Sequence, residues 1–335
     1  MSDTPIKPSR RQILGGAAAL AAASATASSA SAQEGGAALT GQSVLITGCS
    51  SGFGRLSALH LAREGATVIA SMRNLQNGQR PEAVELTDIA SEENLALHVV
   101  EIDVTDNAQV VAGVAAAEEI AGGGVDVLVN NAGIAIAGPV EMSDEAATDM
   151  IFDVNVHGCH RMARAALPGM RAREKGLVVQ ISSQLGRLII PNIGMYCSTK
   201  FAVEAMFESL AYELAPSGVE VTIIQPGGYP TKIWENGSRY TEALIDRLDE
   251  ERAAAYEPHI VGARAFFGGG GSSDPMDIPH AIAELMRTSN GQRPLRRPVH
   301  PDTRLSEAAN EAMANIQAVA LGGGGYAAWH KAVTD

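Results

Sequence analysis

From Gln42 onward, short continuous runs of apolar residues alternate with longer stretches in which apolar residues recur at helical spacing. Continuous runs of Val, Ile and Leu are typical of strands that are buried on both faces of a sheet. Strands that alternate with helices predict βαβ units and a parallel sheet. The predicted strands lie at residues 43–48, 66–73, 95–106, 125–133, 177–183 and 219–228, and residues 293–299 fit a last strand.

The sequence has no internal repeat and no second segment with a hydrophobic pattern of its own. We therefore predict an α/β fold in a single domain, residues 42–335, with a doubly wound parallel sheet and helices on both of its faces. Sheets of this kind bind ligands beyond the carboxyl ends of their strands. The residues that carry the chemistry are expected at those strand ends.

Residues 229–275 break this alternation, because they are polar and irregular and close with a glycine run at 268–271. We expect them to form a lid over a substrate, with the chain beyond mostly helical. Apolar residues of the lid and of a second wall predict a pocket for a hydrophobic substrate, although core packing explains them equally well. These residues are Tyr229, Ile233, Trp234, Tyr240, Tyr256, Phe266 and Phe267, and Leu185, Leu188, Ile189 and Ile190.

The chain carries 25 Lys and Arg against 38 Asp and Glu, a formal net charge of −13. Nucleic-acid binding needs clustered basic residues that neutralise phosphates, so this balance argues against a nucleic-acid partner. We expect a small-molecule partner and no metal site.

The chain has three cysteines, Cys49, Cys159 and Cys197, which fall in predicted helices or tight loops. Because their number is odd, we predict buried thiols and not a disulfide framework.

The N-terminus has a different pattern from the rest of the chain. Arg10 and Arg11 precede a weakly apolar, Ala-rich run that ends in the small-residue cleavage pattern of residues 30–32. It resembles a twin-arginine export signal, which predicts a signal peptide at 1–32, a linker at 33–41 and a periplasmic or exported protein. Gly and Ser interrupt the run, so we expect no membrane span. The alternative is a disordered tail on a cytoplasmic protein.

A glycine-rich loop, TGCSSGFG at residues 47–54, lies between the first predicted strand and the first predicted helix. Its glycines permit a tight turn and close approach of the backbone to a ligand. The helix N-terminus presents N–H groups and a positive dipole end to a pyrophosphate. This context predicts a dinucleotide-binding loop, the alternative being an ordinary turn. The expected contacts are Gly48, Ser50, Ser51, Gly52, Phe53 and Gly54.

The residues that follow the second and third predicted strands favour NADP over NAD as the cofactor. No carboxylate ends the second strand, where one would bind the ribose 2′-hydroxyl of NAD. Arg73 stands there and would pair with a 2′-phosphate, with Arg55 as an assistant; a solvated surface arginine is the alternative. Asp103, followed by Val104, is placed to meet the adenine, unless it caps the next helix, a role that Asp106 also fits.

Tyr196 and Lys200 are four residues apart in a predicted helix, so their side chains are neighbours on one face. An ammonium close to a phenol stabilises the phenolate, which suits the phenol to proton transfer near neutral pH. A chance pair on a solvated face is the alternative.

Ser182 and Ser183 end the fifth strand, where a hydroxyl would bind a substrate oxygen. Asn155 is a poor helix former inside a helix and would hold a water that relays protons to Lys200.

Taken in order, TGCSSGFG, NNAG (130–133), Asn155, the strand end ISS, YCSTK and PGGYPT (226–231) resemble the short-chain dehydrogenase/reductase family. The resemblance covers residues 42–231 closely and the rest loosely. It implies a Rossmann-type sheet of about seven strands and a homodimer or homotetramer, formed through the helices that carry Asn155 and Tyr196.

The resemblance also implies roles for individual residues. Tyr196 is the acid–base residue, and Lys200 binds the nicotinamide ribose and stabilises the phenolate. Ser183, a better match than Ser182, orients the substrate, and Asn155 completes a proton relay. The cofactor contacts that it adds are Asn131, Ala132, Gly133, Tyr196, Lys200, Pro226, Gly227 and Thr231.

The expected function is an NADP(H)-preferring oxidoreductase, with NAD as the alternative cofactor, that interconverts a hydrophobic secondary alcohol and its ketone, or an aldehyde, by hydride transfer. Two other functions are considered. One is a non-catalytic NADP-binding regulatory protein, against which the intact set of reacting residues argues. The other is a sugar-nucleotide epimerase or dehydratase, which usually has a different glycine spacing and a longer C-terminal domain.

Overall fold

The computed structural model describes residues 39–267 and 271–334. The predicted signal peptide lies outside the described residues. Leu39 is completely buried, and its backbone N–H donates to the carbonyl of Glu64 at 2.8 Å. The fold therefore includes residues 39–41, which the sequence pattern assigned to the linker.

One sheet of seven parallel strands forms the centre of the fold, which confirms the predicted fold class. The strands are β1 (Ser43–Ile46), β2 (Thr67–Met72), β3 (Leu97–Glu101), β4 (Val127–Asn130), β5 (Gly176–Ile181), β6 (Val219–Pro226) and β7 (Arg296–Val299). Their order is β3-β2-β1-β4-β5-β6-β7, with Val44 paired to Val68 on one side and to Val127 on the other. The order reverses between β1 and β4, where a sheet of this type opens a crevice for a ligand.

Helices cover both faces of the sheet. They are α1 (Gly52–Arg63), α2 (Pro81–Glu92), α3 (Asn107–Ile120), α4 (Glu145–Phe152), α5 (Gly158–Ala172), α6 (Gly194–Leu214), α7 (Lys232–Ile245), α8 (Glu250–Ala255), α9 (Glu257–Phe266), α10 (Asp277–Arg287), α11 (Arg304–Leu321) and α12 (Ala327–Thr334). Leu61, Leu86 and Ile282 bring α1, α2 and α10 onto one face. On the other face, Met162 and Phe207 anchor α5 and α6. Burial of each such side chain contributes about 1.5–3 kcal/mol.

The expected irregular lid at 229–275 is mostly helical, so that part of the prediction is wrong. Its polar composition hid an amphipathic helix, α7, in which Gly237, Thr241 and Leu244 are buried at spacings of four and three residues. The hydroxyl of Thr241 accepts from the backbone N–H of Ala137 at 2.8 Å, which anchors α7 beside the loop after β4. Gly237 admits the ring of Phe267, because a Cβ there would lie 2.3 Å from it.

The three cysteines are free and buried, as predicted. Burial raises the pKa of the Cys49 thiol to about 12 and also raises the pKa values of Cys159 and Cys197. Within residues 39–267 and 271–334, no helix has the length and the apolar character that crossing a membrane requires.

Candidate active site

The glycine-rich loop follows β1 at the crevice between β1 and β4. Gly48 and Gly52 have φ values of +74° and +56°, a left-handed backbone that favours glycine. Gly54 has no room for a side chain, since a Cβ would lie 2.5 Å from Asn131 Nδ2 and from the carbonyl oxygen of Gly48. The loop is therefore shaped for close contact between its backbone and a ligand.

The N-terminus of α1 opens at the end of this loop. No acidic side chain lies in the first turn of the helix, so no carboxylate of its own compensates the positive end of its dipole. A helix start of this kind favours an anion such as a pyrophosphate. The residues present thus fit a dinucleotide cofactor.

Thr47 and Asn131 fasten the glycine-rich loop to the loop after β4. The Thr47 hydroxyl accepts from the backbone N–H groups of Asn131 and Ala132 at 2.9 and 3.0 Å. In return, Asn131 Nδ2 donates to the carbonyl of Thr47 at 2.7 Å. The predicted contact Asn131 therefore has a structural role at the crevice in addition to lining it.

The far end of the crevice is bordered by arginines. Arg73 directly follows β2 and lines the cavity, where it lies 3.4 Å from the hydroxyl of Tyr240 on α7. Arg80 also lines the cavity, and its guanidinium donates to the carbonyl of Arg73 at 2.5 Å. The sequence analysis missed Arg80, because it stands eight residues beyond the end of β2 and in no motif. Arg55 instead pairs with Glu85 at 2.6 Å and lies outside the cavity wall.

Asp103 and Asp106 follow β3, and the roles considered there were contact with the adenine and capping of α3. Asp106 caps α3, because its carboxylate accepts from the N–H groups of Ala108 and Gln109 at 2.8 and 3.2 Å. Asp103 accepts from the N–H and hydroxyl of Thr105 at 3.0 and 2.7 Å and lines the cavity. The capping alternative for Asp103 is therefore wrong.

Tyr196 and Lys200 lie in the first two turns of α6, and both are buried against the cavity, at 8% and 7% exposure. Lys200 Nζ lies 5.6 Å from the centre of the Tyr196 ring and donates to the carbonyl of Ile181 at 3.1 Å. Among the described residues, none hydrogen-bonds to the Tyr196 hydroxyl, which leaves it available to a ligand in the cavity.

Ser183 begins a short 3₁₀ turn, Gln184–Gly186, that follows β5; we call residues 183–186 the serine turn. Its hydroxyl oxygen accepts from the N–H of Leu185 at 3.1 Å, which leaves the hydroxyl proton free for a substrate oxygen. The Ser182 hydroxyl is buried and has no hydrogen-bond partner among the described residues. Both serines line the cavity.

Asn155 lies in a π-helical turn, Asp153–His157, between α4 and α5. Its amide is paired with the backbone of Ile134, accepting at 2.8 Å and donating at 2.9 Å, and it also donates to Thr199 at 3.1 Å. Asn155 therefore joins the loop after β4 to α6 from behind the cavity wall. Its role in a proton relay stays a prediction.

One cavity of about 730 Å³ brings these groups together. It is lined by all the predicted cofactor contacts except Gly54, and by three of the four predicted catalytic residues, Asn155 being the exception. The lining contacts are Gly48, Ser50, Ser51, Gly52, Phe53, Arg73, Asp103, Val104, Asn131, Ala132, Gly133, Tyr196, Lys200, Pro226, Gly227 and Thr231.

The substrate side of the cavity has an apolar wall. It contains Leu185, Ile193, Tyr229, Ile233, Trp234, Phe266 and Phe267, whereas the hydroxyl of Tyr240, which also lines the cavity, lies at the arginine end. Trp234 is held in place, since its Nε1 donates to the carbonyl of Tyr229 at 2.6 Å and its ring lies 5.5 Å from that of Phe266. Other predicted wall residues lie elsewhere: Tyr256 bonds to Glu141, Leu188 is outside the wall, and Ile189 and Ile190 are 73% and 38% exposed.

A doubly wound parallel sheet with an anion-binding loop at its reversal point defines a Rossmann-type dinucleotide-binding protein, and the Tyr–Lys pair lies in the same cavity. The chain belongs to the short chain dehydrogenase family, whose model matches residues 42–241. The family resemblance of the sequence motifs is thereby confirmed.

Individual relatives extend the same match. Human 17-beta-hydroxysteroid dehydrogenase type 1 is 35% identical over 250 residues, 73% of each chain. Human retinol dehydrogenase 8 is 33% identical over 261 residues, which cover 76% of this chain and 80% of the relative. A solved short chain dehydrogenase/reductase from Burkholderia phymatum in complex with NAD is similar with a TM-score of 0.67 and 25% identity, covering 84% of this chain and 96% of that one.

Proposed function

We propose that this protein is an NADP(H)-preferring dehydrogenase/reductase that interconverts a hydrophobic secondary alcohol and its ketone. One observation carries the proposal. Tyr196 and Lys200, one helical turn apart, line the same cavity as the glycine-rich loop and Ser183. A dinucleotide seated on the loop supplies or accepts the hydride when it is bound.

The chain's own side chains would manage the proton and the substrate oxygen. In the reduction, Tyr196 Oη gives its proton to the carbonyl oxygen, and in the oxidation it takes the proton from the alcohol. Lys200 stabilises the phenolate that the reduction leaves. The Ser183 hydroxyl donates to the same substrate oxygen and fixes its position.

The proposed substrate class follows from the cavity wall. Trp234, Phe266 and Phe267 form an aromatic cluster, with ring centres 5.5, 6.2 and 5.3 Å apart, beside the reacting groups. A wall of this kind favours a bulky apolar substrate whose oxygen is its main polar group. The names of the two human relatives, a hydroxysteroid and a retinol dehydrogenase, support a substrate of this class.

The preference for NADP rests on the charges at the adenosine end. Arg73 and Arg80 both line it, together with two carboxylates: Glu82, which pairs with Arg80 at 3.0 Å, and Asp103, which accepts from Thr105. The hydrogen bond from Arg80 lowers the pKa of Glu82 from its ordinary value, so this carboxylate stays charged. No carboxylate of the described residues pairs with Arg73, so its guanidinium is available to an anionic group, and a 2′-phosphate is the anion that distinguishes NADP from NAD.

Arg73→Ala is expected to raise the KM for NADPH roughly 10- to 100-fold, because a charge-assisted bond to the phosphate is lost. The KM for NADH should change little. Steady-state kinetics with each nucleotide measure both values. Arg63→Ala is the matched control, since Arg63 is half exposed and pairs with Glu93 away from the cavity. Equal losses with the two nucleotides would argue against a phosphate contact.

We also propose that residues 1–32 direct export by the twin-arginine route, which carries folded proteins and so would allow NADP to travel already bound. Replacing Arg10 and Arg11 together by Lys should leave the protein in the cytoplasmic fraction, whereas the unchanged chain should reach the periplasm with nucleotide attached. Cell fractionation and assay of released nucleotide measure this. Unchanged protein found only in cytoplasm contradicts export.

The oligomeric state, a homodimer or a homotetramer, stays a prediction.

The proposed activity is tested by following NADPH oxidation with a panel of ketones, quinones and aldehydes. Bulky apolar ketones are expected to give the highest kcat/KM, and small polar ones the lowest. Nucleotide binding without turnover of any member of the panel would instead support a regulatory protein.

A further inference from the structure

A group of buried charged side chains lies behind the serine turn, and the proposed chemistry does not use it. It consists of Glu204 and Glu208 on α6, Arg187 directly after the serine turn, and Arg296 on β7. We call these four residues the Glu204 cluster. Its two carboxylates face two guanidiniums, so the charges balance.

Glu204 is the centre of the cluster and is only 1% exposed. One carboxylate oxygen accepts from Arg296 Nε at 2.9 Å and lies 3.3 Å from Arg187 Nη2. The other oxygen accepts from Gln225 Nε2 at 2.8 Å. Three separate segments of the chain thus meet at a single side chain of α6.

Burying charged side chains in this way is unfavourable in free energy compared with burying apolar ones. Their desolvation costs several kcal/mol per ion, and well-packed apolar side chains are often at least as stable. Burial lowers the pKa of Arg187 from its ordinary value, and the positive charge of Arg296 lowers it further. Stability alone therefore gives a weak reason for the cluster. Arg187 Nε and Nη2 have no hydrogen-bond partner among the described residues, so the ion pairs of Arg187 to Glu204 and Glu208 are what join it to α6.

The cluster holds the serine turn directly against the helix of the reacting residues. Glu204 lies one turn after Lys200 on α6. Gly186 packs between them so closely that a Cβ there would lie 2.9 Å from Glu204 Cγ and 3.2 Å from the carbonyl oxygen of Lys200. Arg187, the next residue, closes this contact by its ion pair to Glu204.

The same cluster reaches the strand end on the nicotinamide side. Gln225, which bonds to Glu204, immediately precedes Pro226 and Gly227 in the cavity wall. Asn310 on α11 donates to Gln225 at 2.6 Å. Asn310 and Arg296 both follow the residues that the family model matches, 42–241. The C-terminal part of the chain therefore supports the site.

We propose that Arg187 and Glu204 are positioning residues, whose ion pair holds the serine turn against α6 so that the Ser183 and Tyr196 hydroxyls face the same substrate oxygen. This inference rests on the proposed function. Arg187 acts through Ser183 and touches neither substrate nor cofactor. Its loss should therefore reduce the rate of the reaction and leave nucleotide binding unchanged.

Arg187→Met is the variant of choice, because Glu204 keeps its bonds to Arg296 and Gln225 and the fold loses only one arm of the cluster. A displaced serine turn is expected to lower kcat roughly 10- to 100-fold with an unchanged Kd for NADPH. Arg187→Lys keeps a positive charge near Glu204 and should restore part of the rate. Arg297→Met is the control, since Arg297 lies beside Arg296 on β7 but pairs with the exposed Glu284 outside the cluster.

A double-mutant cycle with Ser183→Ala separates positioning from general stability. If Arg187 acts through Ser183, then Arg187→Met has little further effect on kcat once Ser183 is replaced. Equal losses of kcat with and without Ser183 would overturn the inference. A wild-type rate that Ser183→Ala leaves unchanged would instead count against the proposed function.

Hydrogen exchange gives a measurement that needs no turnover. The amides of Leu185 and Gly186 bond to the Ser183 hydroxyl and carbonyl, at 3.1 and 2.9 Å. In Arg187→Met these amides should exchange faster than in the wild type, while those of β5 should not. Unchanged exchange in the serine turn would contradict the inference whatever the kinetics show. Faster exchange throughout the domain would also contradict it, because that result indicates a purely structural role.

Discussion

Tyr196→Phe is expected to lower kcat by roughly 10²–10⁴-fold, the usual contribution of a positioned general acid or base. Phenylalanine keeps the ring that packs among Ile151, Ile193 and Leu244 but removes the proton that the carbonyl oxygen must receive. The Kd for NADPH should therefore stay near the wild-type value. Steady-state kinetics with the best ketone of the panel, together with nucleotide titration, measure the two effects separately.

Tyr326→Phe is the matched control for this change, because Tyr326 is 60% exposed and precedes α12. It should leave both kcat and nucleotide affinity unaltered. Turnover at a near wild-type rate in Tyr196→Phe would mean that another group moves the proton, and the assignment of the acid–base residue would then be wrong.

Lys200→Met is expected to cost roughly 100-fold in kcat. Lys200 Nζ lies 5.6 Å from the centre of the Tyr196 ring. A unit positive charge about 6 Å from a phenolate stabilises it by roughly 3 kcal/mol at an effective dielectric constant of about 20. That energy corresponds to about two orders of magnitude in rate. Because Lys200 also lies in the cofactor cavity, the Kd for NADPH should rise as well. Single-turnover rates with saturating nucleotide isolate the effect on the chemical step.

Lys175→Met serves as the control for loss of a lysine. Lys175 is 63% exposed and pairs with Asp126 at the amino ends of β4 and β5, away from the cavity. Neither kcat nor the Kd for NADPH should therefore change. If Lys200→Met retained the wild-type single-turnover rate, the ammonium would have no part in stabilising the phenolate.

The parts of the fold that the sequence predicted are those with strong local signals. Six apolar runs became the strands β1 to β6, because strands buried on both faces need continuous apolar residues. The strand β7 contains Arg296 and Arg297 and is only partly buried. The glycine-rich loop was predictable for a similar reason, since the backbone at Gly48 and Gly52 favours a residue without a side chain. Tyr196 and Lys200 share a cavity because their spacing is that of one helical turn.

The parts that it did not predict depend on contacts between distant residues. The helix α7 looked irregular because only Gly237, Thr241 and Leu244 of its residues are buried, and a glycine and a threonine are weak apolar signals. Arg80 reaches the cavity through the carbonyl of Arg73, and Arg187 meets Glu204 only after the serine turn has folded against α6. No spacing along the chain reveals such pairs.

The most direct test of the proposed chemistry is a crystal structure of the protein with NADP⁺ and a non-reacting analogue of its best substrate. The distance to be measured joins Tyr196 Oη and the oxygen of the bound analogue. We predict hydrogen-bond contact, at roughly 2.6–3.2 Å, with the Ser183 hydroxyl on the same oxygen. If the Tyr196 hydroxyl points away from the bound analogue and lies out of hydrogen-bond reach of its oxygen, the assignment of Tyr196 as the acid–base residue is contradicted.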